Sequence, residues 1–139
     1  KEWESDEKTI LTEFISNSGI NDDYKFNFIP VGFNLQFEHS FLIGRCITNN
    51  IKPVNVLSRP FLDLKTVAVL MNRGEFKGAS LHNMTNKPHG GGNIPQLYDE
   101  KKYGEIEDYI KKEADEFCNF CAWLYTEMPH LFEKFKAGN

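Results

Sequence analysis

Apolar residues recur at helical spacing near both ends of the chain and run almost unbroken in one short stretch between. Ile10, Leu11, Phe14 and Ile15 share one face of a helix predicted over 5–17, with Ser5 as its N-cap. The turn-forming residues of 16–23 end it. The run "FNFIPVGF", 26–33, predicts a buried strand, in which Pro30 removes one ladder donor. The chain then passes through Asn34, Phe37 and Glu38 and turns apolar again at Phe41, Leu42 and Ile43. This pattern predicts a short helix over 38–48 that presents Phe41, Leu42 and Arg45 one turn apart.

Further on, 49–55 reads as a loop and 56–64 as a short extended segment. Asp63 can N-cap a helix "LKTVAVLMN", which Arg73-Gly74 ends. "GASLHNM" predicts a short helical turn, and the Pro- and Gly-rich 85–95 a flexible loop. A long amphipathic helix is predicted from about Tyr103 to Tyr125, its apolar stripe traced by Ile106, Tyr109, Ile110, Ala114, Phe117, Cys118, Cys121 and Leu124. A last short helix is expected after Pro129. Without repeats or linkers, 1–139 reads as one domain. The order of elements is that of the second half of an α/β domain, with too few strands for a complete sheet.

Composition narrows the function classes. A chain of 139 residues, 40% hydrophobic and 14% aromatic, can bury a real core. Its net charge of −4 and the lack of a basic stripe argue against an electrostatic nucleic-acid binder, though not against an enzyme that meets nucleic acid through metal ions. Three cysteines, an odd number, fit a reducing, intracellular (cytoplasmic) setting better than a disulfide framework. No apolar run approaches the roughly 20 residues that span a bilayer, so no membrane partner is expected. The first residues, "KEWESDEKTI", hold neither an initiating Met nor a signal-peptide core, which points to an N-terminally trimmed chain.

"GFNLQFEHSFL" resembles the second motif of DnaQ-like 3′–5′ exonucleases, with Gly32, Asn34, Phe37, Phe41 and Leu42 in step and Glu38 where the family has aspartate. "PFLDLKTVAVLM" and "GASLHNM" look like the segments that follow it. "YIKKEADEF", 109–117, resembles the tyrosine form of the third motif, with Glu113 in place of aspartate. The family's first motif, Asp-x-Glu, is absent. The resemblance covers 5–128 and implies an α/β, ribonuclease-H-like exonuclease fold without its first β segment. It further implies hydrolysis of phosphodiesters from the 3′ end by a two-metal-ion mechanism with Mg²⁺ or Mn²⁺, acting on single-stranded or 3′-end nucleic acid. Glu38 and Glu113 would be catalytic metal ligands, Tyr109 would orient the attacking water, and Asn34 and Phe37 would bind the terminal nucleotide. The alternative is a degenerate, non-catalytic fold kept as a binding module, motivated by glutamate at both acidic positions.

The chemistry is coherent residue by residue. Two divalent ions can activate a water and stabilise a leaving oxygen, and carboxylates on different elements can hold them. Tyr109 lies four residues before Glu113, hence on the same helix face. Each reading has a structural competitor. Glu38 also suits a solvated acid favoured by a helix N-terminus, and Tyr109–Glu113 a surface pair. Asn34 also suits a turn, and Asp63 suits a cap better than a ligand. Cys118-x-x-Cys121 has no second pair, which favours packing over zinc or redox chemistry. His82, His89 and His130 are scattered, and "PHGGGN" lacks the frame of a phosphate loop.

Overall fold

Helices dominate the computed structural model, which describes residues 1–22, 24–86 and 91–138. They account for 63% of the described residues, and the sheet among those residues is a single parallel pair of two-residue strands. The expected α/β, ribonuclease-H-like fold is therefore corrected: it needs a multi-stranded sheet. The physical reason lies in the 26–33 run. A turn closes it at the front, Asn27 N–H donating to the Tyr24 carbonyl at 3.1 Å. Pro30 offers no N–H, and only its carbonyl joins the ladder, accepting from Leu62 N–H at 2.9 Å. What remains as strand is Val31–Gly32.

The chain divides into two compact units, Lys1–Val67 and Ala68–Asn139. The first opens with α1 (Glu7–Asn17), capped by Asp6 rather than Ser5: the Asp6 carboxylate accepts from Thr9 N–H at 3.0 Å. Leu11 and Ile15 are buried as the pattern predicts, while Phe14 stays 40% exposed. Strand β1 (Val31–Gly32) leads into α2 (Leu35–Thr48), and β2 (Leu62–Asp63) returns parallel to β1, pairing Val31 with Leu62 and Gly32 with Asp63. A 3₁₀ turn at Val56–Ser58 packs on α2. Ile15, Ile20, Cys46, Val54 and Val56 form the core of this unit, with Phe28, Leu42, Ile51 and Leu57 against it. Glu7 ties α1 to α2. Its carboxylate accepts both from the Arg45 guanidinium and, at 2.8 Å, from the Asn49 carboxamide.

α3 (Leu64–Met71) carries the chain into the second unit. It ends as predicted at Arg73 and Gly74, both at positive φ (59° and 85°), with Gly74 N–H donating to the Val69 carbonyl at 2.8 Å. α4 (Leu81–Met84) is the predicted short turn, capped by Ser80. A 3₁₀ turn at Gly91–Asn93 and α5 (Ile94–Asp99) fall within or just past the expected loop; 87–90, with His89, lie outside the described residues. α6 (Tyr103–Ala137) runs on through Pro129, so the two C-terminal helices expected are one. Its buried residues are Ile106, Phe120 and Leu124. Phe120 was not in the predicted stripe, and Ile110, Ala114 and Cys118 of that stripe are exposed.

Candidate functional site

The first candidate site is the βα junction where β1 hands over to α2. Asn34 sits there in the left-handed region, φ 71° and ψ 49°, and gives α2 no side-chain cap. The cap comes from the next strand instead. Asp63, at the end of β2, accepts from Asn34 N–H at 2.8 Å and Leu35 N–H at 3.0 Å. It also accepts from Lys65 N–H at 2.9 Å, so one carboxylate closes the start of two helices. Glycine at position 32 has its own cause: a Cβ there would lie 2.5 Å from a Leu35 methyl, so the buried Leu35 can seat only against Gly32.

This arrangement sets Asn34, Phe37 and Glu38 together on the exposed first turn of α2, at the carboxyl end of a parallel strand. Phe37 is 65% exposed and Phe41, one turn on, 57%. The Lys65 ammonium lies 5.6 Å from the Phe33 ring centroid beside the junction.

The second candidate region is the middle of α6. Tyr109 and Glu113 are both half-buried and one turn apart, as the spacing predicts. Gly91 passes close over Tyr109: a Cβ at Gly91 would lie 3.1 Å from the phenol oxygen. Three residues beyond Glu113, the Glu116 carboxylate accepts from Asn86 N–H at 3.0 Å, joining the start of the Gly-rich loop to α6. Beside it opens a cleft of about 310 Å³, lined by Glu116, Asn119, Phe120 and Trp123 of α6 and by Met71 and Met84. Glu116, Gly91 and the double cap by Asp63 were missed in the sequence. Glu116 carries a faint signal, its turn-length spacing from Glu113; the other two arise only from folding.

The expected site residues thus fall into two groups. Asn34, Phe37 and Glu38 belong to the first unit, Tyr109 and Glu113 to the second. Among the described residues no three His, Cys, Asp or Glu side chains gather as a cation site, so neither unit by itself offers the donor set of a two-ion centre. Cys118 is exposed and Cys121 half-buried; burial first, then the neighbouring Cys118, pushes the Cys121 thiol up. No helix among the described residues is long and apolar enough to cross a membrane. In comparisons with known proteins, no family model, no curated protein and no solved structure matches the chain.

Proposed function

We propose that this chain acts in 3′–5′ exonucleolytic hydrolysis of nucleic acid, with Asn34 and Phe37 receiving the terminal nucleotide and Glu38, Tyr109 and Glu113 serving the chemistry. The observation that carries the reading is the β1–α2 junction. An exposed aromatic ring, an exposed carboxylate and a left-handed asparagine share one turn of helix at a parallel strand's end. An open ring can stack on any base, and an asparagine carboxamide can bond a sugar or base edge. The ordered motifs at 32–42 and 109–117 supply the hydrolytic half of the proposal. Mg²⁺ or Mn²⁺ would act as Lewis acid and water activator when bound.

A second reading is a non-catalytic module that binds 3′ ends. It is favoured by glutamate at both acidic positions. One experiment separates the two. The chain is incubated with 5′-labelled single-stranded DNA or RNA and Mn²⁺, and products are resolved by length. The exonuclease reading expects a ladder shortening from the 3′ end, reduced at least about a hundredfold in Glu38→Gln and in Glu113→Gln. Binding that Phe37→Ala weakens, with no metal-dependent ladder, establishes the module. Neither digestion nor Phe37-dependent binding sinks both.

A further inference from the structure

The cleft beside α6 has a composition that the exonuclease motifs do not use. Its volume of about 310 Å³ lies at the small end of ligand pockets, suited to a heterocycle rather than to a peptide. Trp123 lines it yet keeps 46% of its surface open, while Phe120 behind is buried to 5%. The two rings lie within 9° of parallel, with centroids 6.1 Å apart, so the indole is backed by a second aromatic plane. Met71 and Met84 complete the apolar side with adaptable thioethers.

The polar side is acidic. Asn86 N–H holds one Glu116 oxygen, which fixes the half-buried carboxylate at the cleft. A carboxylate has about four acceptor positions, so Glu116 retains capacity for further donors. Asn119, one turn on, also lines the cleft, and its carboxamide can donate or accept.

We infer that this cleft binds guanine. Guanine presents two adjacent N–H donors, at N1 and N2, which match the two oxygens of a carboxylate. Adenine, cytosine and uracil each offer a carboxylate only one donor group on that edge. The Asn119 amide can donate to O6, and the purine face stacks on Trp123. The cleft lies wholly within the second unit, so the inference goes beyond the exonuclease reading and needs neither Glu38 nor a metal.

The chain has two tryptophans, Trp3 and Trp123, so Trp3→Phe leaves Trp123 as the sole indole reporter. In EDTA, titration with guanosine monophosphate is expected to quench its emission saturably, at least about tenfold tighter than with the adenosine, cytidine or uridine monophosphates. Glu116→Gln should remove that preference. It keeps an oxygen for Asn86 N–H but sets an NH₂ donor against the ring N–H. Should circular dichroism show Glu116→Gln unfolded, Asn119→Ala provides the second variant, expected to weaken guanosine monophosphate at least about threefold. Equal affinity for all four nucleotides, quenching that never saturates, or folded variants that bind unchanged would overturn the inference. A guanine-containing tetranucleotide that binds much tighter than the mononucleotide assigns the base to a strand; equal affinity assigns it to a free nucleotide. Because the readout is metal-free, its failure leaves the nuclease proposal untouched, and the reverse holds.

Discussion

Asp63 accepts from three backbone amides, two opening α2 and one opening α3, where an ordinary N-cap satisfies one helix. Removing it strips the start of both helices at once. Asp63→Ala is expected to destabilise the chain by about 2 kcal/mol, more than a typical single cap, and Asp63→Asn by less, since one oxygen remains. Urea midpoints of the three proteins measure this; equal midpoints for wild type and alanine would refute the double cap. The Glu7–Arg45–Asn49 cluster makes a prediction in pH. Hydrogen bonds from Arg45, then from Asn49, lower the Glu7 carboxyl from 4.5 to about 2. A depressed carboxyl stabilises the folded state above its unfolded pKa, and that contribution fades as pH falls through the folded one. Stability should therefore decline between about pH 4.5 and 2, and Glu7→Gln should flatten that part of the profile. Denaturant midpoints at pH 2.5, 3.5 and 5 decide it. At this scale the sequence is legible for local chemistry and silent on remote partners. Asp63 is readable as the cap of the helix it precedes. Its bonds to Asn34 and Leu35, 29 and 28 residues away, depend on β2 lying beside β1.

Helices were the readable elements and strands were not, for a reason visible in the chain. α1, α2, α3 and α4 appear near their predicted places because local spacing and caps suffice to specify a helix start and stop. A strand is defined by its neighbour, and among the described residues the 26–33 run pairs over Val31–Gly32, with the Pro30 carbonyl accepting from Leu62 N–H just before it. α6 shows the limit on the helical side. Proline at 129 reads as a boundary, since it cannot donate to the carbonyl four residues back, yet the helix continues to Ala137. From Met128 to Gly138 every residue is exposed, Leu131, Phe132 and Phe135 included. This end of α6 has helical geometry without burial to hold it, and most helix stability in proteins comes from packing. Hydrogen exchange should show it: amides of 131–137 exchange far faster than those of 117–124, where Phe120 and Leu124 are buried. Equal protection along α6 would mean that the C-terminal turns have a partner in solution.

At the scale of the whole molecule, charge decides how nucleic acid could be held. The net charge is −4 and no basic run is longer than the pairs Lys101-Lys102 and Lys111-Lys112, so a strand meets overall repulsion rather than attraction. On the proposed reading, binding through the exposed Phe37 ring and Asn34 would draw on stacking and hydrogen bonding, with few phosphates neutralised. Counterion release makes this measurable: each phosphate contact on a single strand steepens the dependence of log K on log salt by about 0.7. One or two contacts, from side chains such as Lys65 beside the junction, give a slope near −0.7 to −1.4. Phe37→Ala should lower affinity at every salt concentration by about 1–3 kcal/mol and leave that slope unchanged, because stacking releases no ions. Fluorescence anisotropy with a labelled oligonucleotide between 25 and 200 mM salt reads both quantities. A slope of about −3 or steeper, unaffected in affinity by Phe37→Ala, would place binding on basic side chains elsewhere and remove the junction from the nucleic-acid site. A shallow slope with a strong Phe37 effect ties the end-binding step to one turn of α2, whichever of the two readings, hydrolysis or binding alone, the labelled strands then select.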